Sequence, residues 1–136
     1  MTLSDILDSF HVKAVTGSTD VEIDSVCFDS RQAGPGSVFC ALPGVKVDGN
    51  EFVEQALDAG TEAVISELPY PANTNKTWIE VDDAREAMGW ASANLQGRPA
   101  LEMPVVGVTG TNGKTTTSLL IHHLMQTALH LSLIHI

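Results

Sequence analysis

The spacing of hydrophobic positions changes several times along the chain, and each spacing predicts a different element. Near the start, apolar residues recur at helical intervals behind Thr2, a residue suited to cap a helix, so we expect a short helix over residues 2–10. Two runs of strand length follow, and both are rich in β-branched and aromatic residues. They are VEIDSVCF (21–28) and SVFCAL (37–42), separated by a Gly-Pro-Gly turn (34–36).

The pattern then alternates between helical and strand-like spacing. Apolar residues over 52–59 share one helical face, and Gly60 stands where a left-handed residue would end that helix. AVIS (63–66) and TWIEV (77–81) predict strands on either side of a loop rich in Pro and Asn, and a third helical stripe covers residues 84–95. Alternation of helices and strands is typical of a layered α/β fold.

A second unit is expected after a Gly-Arg-Pro linker (97–99). All 17 acidic residues lie at or before Glu102, whereas Lys114 is the only residue of fixed charge after it. This shift in composition marks a boundary in the chain's organisation. We therefore place a small α/β domain at residues 1–98 and the start of a second, incomplete domain at residues 103–136.

The second unit opens with PVVGVT (104–109), a continuous apolar run of the kind found in strands buried on both faces of a parallel sheet. It leads directly into GTNGKT (110–115), and a helix is expected from about Thr115. Glycines let successive backbone N–H groups converge on an anion, the helix N-terminus adds partial positive charge, and Lys114 adds a full one. The pattern predicts a loop that binds the phosphates of a nucleotide, with Mg²⁺ on the Thr115 hydroxyl.

This loop departs from the general Walker pattern at one position, because Val108 stands where that pattern has glycine. A glycine turn with an incidental lysine is therefore the alternative interpretation. A small P-loop kinase or NTPase is disfavoured, since no Asp or Glu follows the loop to hold the metal ion.

Composition and charge exclude several other classes. The net charge of -10 is spread without runs of like charge, which argues against duplex DNA or an anionic membrane surface as partner. The first residues are acidic where a secretory signal is basic, and no apolar window approaches the length of a membrane span, so a cytoplasmic protein is expected. Cys27 and Cys40 lack the spacing of a zinc or redox pair and are expected to be reduced thiols.

Four of the five histidines lie near the end of the chain, at positions 122, 123, 130 and 135. A metal site is conceivable, because His122 could pair with a residue one turn away, but the spacing matches no strong ligand motif. We expect His122 and His123 to be ordinary helix residues. The final LHLSLIHI (129–136) has no helix stop and no charge, and we interpret it as foreign to the rest of the chain.

Two stretches resemble a known family. TGTNGKTT (109–116) resembles the ATP loop of the Mur ligases, the cytoplasmic enzymes that build the peptide of the bacterial cell-wall precursor; folylpolyglutamate synthases carry a similar loop. DSRQAGPGSVFCALPGVKVDGNEFVEQALDAGTEAVI (29–65) is similar to the UDP-binding domain of the Mur ligases that add the third amino acid or the D-Ala-D-Ala dipeptide. Thr111 and Asn112 favour the third-amino-acid enzymes, since the dipeptide-adding ones usually have Ser-Ser there.

The resemblance implies an ATP-dependent ligase of peptidoglycan biosynthesis that adds diaminopimelate or lysine to UDP-N-acetylmuramoyl-L-Ala-D-Glu, with ATP and Mg²⁺ as cofactors. A substrate carboxylate would take the γ-phosphoryl group, and the incoming amine would attack the acyl phosphate. The remaining parts of such an enzyme would follow residue 136, so this chain alone is expected to be inactive. The alternatives are a UDP-sugar-peptide binding module without catalysis and the dipeptide-adding ligase.

The resemblance also assigns site residues. The ATP loop would comprise Gly110, Thr111, Asn112, Gly113, Lys114, Thr115 and Thr116, with Lys114 catalytic and Thr115 on the metal. The UDP end of the substrate would contact Phe28 and Ser30, beneath a loop of Val45, Lys46 and Val47. Considered without the resemblance, Lys46 is a typical solvated charge, Phe28 and Val45 are typical packing residues, and Asp29 with Arg31 could be an ion pair that fixes the turn.

Overall fold

The structure, a computed structural model, describes residues 1–45, 47–71, 74–103 and 105–129. Lys46, Pro104 and residues 130–136 lie outside the described residues, so the predictions for Lys46 and for the C-terminal segment are not addressed by it. The chain divides into two compact units, Met1–Pro99 and Ala100–Ile136. No helix among the described residues combines the length and apolar character needed to cross a membrane.

The first unit is built on a five-stranded sheet with the strand order β1-β5-β4-β3-β2. Strands β2 to β5 are parallel to one another, and β1 pairs antiparallel with β5 at the edge. The strands are β1 (Val12–Thr16), β2 (Ser25–Cys27), β3 (Ser37–Ala41), β4 (Ala63–Ser66) and β5 (Thr77–Val81). The α/β fold predicted for this part of the chain is confirmed.

Two short 3-10 helices, Ser30–Gln32 and Gly49–Phe52, and three α-helices accompany the sheet. The α-helices are α1 (Leu3–Leu7), α2 (Val53–Asp58) and α3 (Ala84–Leu95). Thr2 caps α1 as predicted, in a reciprocal arrangement with Asp5 that satisfies two backbone N–H groups. Gly60 follows α2 with φ of 98°, the left-handed conformation that ends a helix at little cost only when the residue is glycine.

The sheet is buried on both faces, which explains why the sequences of its central strands are apolar at nearly every position instead of alternating with polar residues. On β3, Val38 and Cys40 pack with α1 and α3, whereas Phe39 and Ala41 pack with α2. Cys27 packs on the α2 side, so the two free thiols belong to opposite faces. Burial raises the pKa of both thiols, which keeps them protonated.

Two differences from the predicted strands concern the first unit. The run predicted as one strand over 21–28 pairs regularly only at Ser25–Cys27, because its first residues bond instead to the N-terminal segment, as in Ile23 N–H to Met1 O at 2.8 Å. Strand β1 was not predicted. It lies at an edge with mostly exposed side chains, so its sequence lacks a buried alternation.

The predicted Gly-Arg-Pro linker is an ordered helix end. Gly97 and Arg98 have φ of 75° and 55°, and the Arg98 Nε donates to Asn94 Oδ1 at 2.7 Å. A four-residue helix, α4 (Pro99–Glu102), begins immediately afterwards.

The second unit contains α5 (Lys114–Leu129), close to the predicted start of the helix. The strand predicted over 104–109 is not formed by the described residues of that range, since residues 105–110 have no regular secondary structure. Val105 and Val106 are 68% and 66% exposed. A strand needs a neighbour to bond its backbone, and the described residues of this unit provide none beside it.

Candidate functional site

Three of the residues predicted to contact the UDP end of the substrate lie beyond the carboxyl ends of the parallel strands. A cleft of about 450 Å³ lies there, at the position where open α/β sheets generally bind ligands. Its lining comprises Phe28, Asp29, Ser30, Arg31, Leu42, Gly44, Val47, Gly49, Phe52, Gln55 and Arg85. The structure therefore brings Phe28, Ser30 and Val47 together, whereas Val45 is fully exposed and is not among the lining residues.

The turn after β2 is held by an ion pair between neighbouring residues. Asp29 accepts the Arg31 backbone N–H at 3.1 Å, and the Arg31 guanidinium donates to both carboxylate oxygens, with Nε to Oδ1 at 2.9 Å and Nη2 to Oδ2 at 2.5 Å. These hydrogen bonds to the charged form lower the pKa of Asp29 to about 2. The geometry is that of the turn-fixing pair considered in the sequence analysis.

This turn presents Ser30 to the cleft. Ser30 is only 8% exposed, and its hydroxyl donates to Gln55 Oε1 on α2 at 2.8 Å. The bond fixes the serine rotamer and joins the β2–β3 connection to α2. Its oxygen retains a lone pair for a ligand donor, because a hydroxyl accepts as well as donates.

Two apolar side chains line the cleft and are nevertheless largely exposed, Phe28 at 61% and Val47 at 60%. An aromatic ring and a branched aliphatic group in a cleft provide the kind of surface on which a planar base packs.

The loop that carries Val47 is folded tightly on itself. Gly49 N–H donates to Leu42 O at 2.9 Å, which closes the base of the loop. At Gly44, a Cβ atom would lie 2.1 Å from Val47 O, so the backbone approach at this point requires glycine. Asp48 then accepts the Asn50 N–H at 3.0 Å. These contacts, two between backbone groups and one to the Asp48 carboxylate, fix the wall of the cleft.

Arg85 contacts this wall from α3. Its Nη2 donates to Pro43 O at 2.6 Å, while Asp83 caps the helix by accepting the backbone N–H groups of Arg85 and Glu86 at 2.8 and 2.9 Å.

Sequence reasoning missed about half of the lining. The missed residues are Leu42, Gly44, Gly49, Phe52, Gln55 and Arg85. For Arg85 a signal was available, because the first turn of a helix favours acidic residues and a basic one there calls for another explanation. Phe52 carried no such signal, since it belongs to the same apolar stripe as the packing residues of α2.

A larger cleft of about 540 Å³ lies along the other side of α2, between that helix and the loop before β5. It contains none of the predicted site residues. Two of its polar groups are already engaged, since Trp78 Nε1 donates to Leu68 O at 2.9 Å and Lys76 Nζ pairs with Glu62 at 3.1 Å. We therefore place the candidate site in the smaller cleft.

In the second unit, the predicted phosphate loop has the backbone features such a loop needs. Gly110 and Gly113 have φ of 149° and 75°, in the range that favours glycine. The first helical bond beyond the loop runs from Thr117 N–H to Gly113 O at 2.9 Å. The N–H groups of the preceding residues in the first turn of α5 are thus left for an anion.

The side chains of this loop suit a nucleotide polyphosphate. Lys114 Nζ donates to Gly110 O at 2.6 Å, which places the ammonium across the loop, and Thr111, Asn112 and Thr115 are exposed beside it. The Thr115 hydroxyl is a ligand type that Mg²⁺ accepts. Among the described residues, no group of three or more His, Cys, Asp or Glu side chains could hold a metal ion.

Comparisons with known proteins agree on a single family. The model of the Mur ligase family, described as its catalytic domain, matches residues 22–95, more than half of the chain. A UDP-N-acetylmuramoyl-L-alanyl-D-glutamate--2,6-diaminopimelate ligase of Geobacter metallireducens is 42% identical over 128 residues, which are 94% of this chain and 25% of that protein. A UDP-N-acetylmuramyl-tripeptide synthetase of Deinococcus radiodurans is 42% identical over 131 residues, 94% of this chain and 27% of that protein.

Among solved structures, MurF from Acinetobacter baumannii matches with a TM-score of 0.72 at 26% identity, over 94% of this chain and 28% of that one. The chain spans about a quarter of the length of the curated relatives it matches. Because the family model covers more than half of the chain, and the relatives align with nearly all of it, this chain belongs to the Mur ligase family.

Proposed function

We propose that this chain is the N-terminal part of a cytoplasmic Mur ligase that adds diaminopimelate or lysine to UDP-N-acetylmuramoyl-L-Ala-D-Glu. The observation that carries the proposal is the cleft that gathers Phe28, Ser30 and Val47 at the carboxyl edge of the sheet. Relatives named for the diaminopimelate reaction support it at 42% identity, whereas the dipeptide-adding MurF structures are 26–29% identical. The dipeptide-adding ligase is therefore the second candidate.

The first unit would hold the UDP end of the substrate. Phe28 and Val47 offer apolar surface to the base, and Ser30, fixed by Gln55, offers a hydroxyl to a polar group of the nucleotide. Val45 and Lys46 belong to the same loop, and we propose that they close over the ligand once it is bound. We propose residues 1–98 as this substrate domain.

The second unit, proposed as residues 103–136, would begin the ATP domain. Residues 110–116 would surround the polyphosphate with backbone N–H groups, and Lys114 would neutralise charge on the β- and γ-phosphates. The Thr115 hydroxyl would hold Mg²⁺, which supplies further neutralisation of the phosphate oxygens when bound.

The proposed reaction makes an amide in two displacements. A carboxylate oxygen of the substrate attacks the γ-phosphorus and ADP leaves, which gives an acyl phosphate. The amine then attacks the acyl carbon, phosphate leaves and the nitrogen loses a proton. Positioning and charge neutralisation are the contributions that this chain's loop can make to the first displacement.

The proposal is tested by sequencing the source locus beyond the codon for Ile136 and expressing the complete reading frame. We expect ADP release that depends on UDP-N-acetylmuramoyl-L-Ala-D-Glu and on diaminopimelate or lysine, and its loss in Lys114→Ala. ADP release that depends instead on the tripeptide precursor and D-Ala-D-Ala would support the second candidate. A stop codon directly after Ile136 would leave a binding module and refute the ligase proposal.

A further inference from the structure

The candidate cleft contains one arginine, Arg85, whose positive charge is not balanced by an acidic residue among the described residues that line the cleft. Two arginines line it, Arg31 and Arg85. Arg31 is paired with Asp29, so the charges of these two residues offset each other. Arg85 forms no ion pair with any described residue. The described lining therefore carries a net positive charge located at Arg85.

Helix stability does not account for this position. Arg85 lies in the first turn of α3, where the helix dipole favours an anion and disfavours a cation. The Asp83 carboxylate caps the helix through the backbone N–H groups of Arg85 and Glu86, so the cap does not use the Arg85 side chain. The side chain is instead extended to the Pro43 carbonyl at 2.6 Å.

This contact fixes the guanidinium at the wall of the cleft. Pro43 is the second residue of the loop over 42–49. The bond from Gly49 N–H to Leu42 O closes this loop, and its tight turn requires glycine at Gly44. A guanidinium has five N–H donors in a planar fork, and the Pro43 carbonyl takes one of its nitrogens. The other donors suit two oxygens of one phosphate or of two adjacent phosphates.

We propose that Arg85 binds the diphosphate of the nucleotide ligand in this cleft, and that its bond to Pro43 holds the guanidinium in place for that contact. The inference rests on the proposed function, because it takes the ligand to be a UDP-linked molecule. It adds an anion-binding residue on α3 to the residues on the β2–β3 connection and the loop after β3.

The test compares UDP with uridine, which lacks the diphosphate, in titrations of the 136-residue chain followed by NMR. Arg85→Gln removes the charge but keeps an N–H that can reach the Pro43 carbonyl. We expect its affinity for UDP to fall at least about tenfold, the factor for one charge-assisted hydrogen bond, with uridine binding unchanged. Arg85→Lys should recover part of the UDP affinity. Lys76→Ala is the matched control, because it removes one positive charge before the amino end of β5, away from the carboxyl ends of the strands at which the cleft lies.

Three other outcomes would each contradict the proposal. UDP binding in Arg85→Gln equal to that of the unsubstituted chain and the control overturns the role of Arg85 but leaves the cleft assignment intact. Equal losses of UDP and uridine affinity in both Arg85 variants identify a purely structural residue and overturn the proposal. If the unsubstituted chain binds neither compound, the assignment of the cleft is wrong and the inference fails with it.

Discussion

At the scale of single residues, the first unit depends on a few buried polar side chains that are fully bonded. Every described buried side-chain nitrogen and oxygen has a hydrogen-bond partner. Asn94 connects two helices, since its Nδ2 donates to Ile6 O of α1 at 2.7 Å and its Oδ1 accepts from Ser9 and Arg98 at 3.1 and 2.7 Å. If the Asn94 side chain is removed, its buried hydrogen-bond partners are left unpaired where water cannot easily reach them, and this costs stability.

We predict that Asn94→Ala lowers the free energy of unfolding by about 1–3 kcal/mol, because the Ile6 carbonyl loses its buried donor. Urea denaturation of the 136-residue chain measures the change. Ser92→Ala on the same helix is the control, and it should stay within about 0.5 kcal/mol. An equally small effect of Asn94→Ala would contradict the assigned role.

The Asp29 carboxyl should titrate near pH 2. Arg31 lowers its pKa by hydrogen bonding to the charged form, so the pair's stabilising contribution is present above the ordinary value of 3.8 and is lost as pH falls towards 2. Carbon-13 NMR of the carboxyl measures this directly, and Arg31→Ala should return the pKa towards 3.8. Lys13→Ala should leave it unchanged. A titration near 4 in the unsubstituted chain would show that the pair does not form in solution.

Ser30→Ala should weaken binding of UDP-N-acetylmuramoyl-L-Ala-D-Glu about fivefold to tenfold, the effect of one hydrogen bond. The serine is held by Gln55 at 2.8 Å, so the change removes a fixed polar group from the cleft and little packing. Calorimetry on the 136-residue chain provides the measurement, with Ser92→Ala as control. Unchanged affinity would remove Ser30 from the proposed substrate site.

At the scale of elements, glycines illustrate how position decides what a residue contributes. Gly60 ends α2 with φ of 98°, and a Cβ there would meet the Pro35 ring at 3.5 Å. Gly89 lies inside α3 with no atom within 4 Å of where its Cβ would be. The first residue is needed for its backbone conformation, whereas the second only costs the helix conformational entropy.

The pair of substitutions should therefore act in opposite directions. Gly89→Ala is expected to stabilise the chain by about 0.5–1 kcal/mol, and Gly60→Ala to destabilise it by about 1 kcal/mol or more. Each serves as the control for the other, because both add one methyl group. Thermal unfolding of both variants makes the comparison, and changes of the same sign would contradict the assigned conformations.

At the scale of the whole molecule, the first unit contains its own two-sided core and its own cleft. The clusters on the two faces of the sheet are built entirely from residues before Pro99. Burial of apolar side chains is the main favourable contribution to folding, so these residues have what an independent domain requires.

A chain of residues 1–99 should thus unfold with the same urea midpoint and slope as the 136-residue chain. The slope reports the surface exposed on unfolding, so an equal value means that the same cooperative unit melts. Circular dichroism follows the transition, and UDP titration of the shorter chain checks that the cleft is retained. A markedly lower midpoint would show that the first unit needs the residues after Pro99.

Sequence patterns predicted the interior of the fold better than its edges. AVIS, TWIEV and the helix over 84–95 were predicted with the bounds the structure shows, because each has its apolar residues in one clear period. Strand β1 was missed because an edge strand with exposed side chains has no such period. The strand predicted from PVVGVT was not formed, because the pattern specifies a side-chain environment that the described residues do not supply.

The sequence by itself determined the α/β class, the capped helices and the glycine loop with Lys114, because these depend on local spacing and on backbone conformations that particular residues favour. The tertiary structure decided which residues share the cleft. The turn with Phe28 and Ser30 is far in the chain from Gln55 and from Arg85, and the proximity of these three segments follows from parallel strands that end at the same edge. No local pattern encodes such proximity, because it depends on strand order and on the packing of α2 and α3 against opposite faces of the sheet.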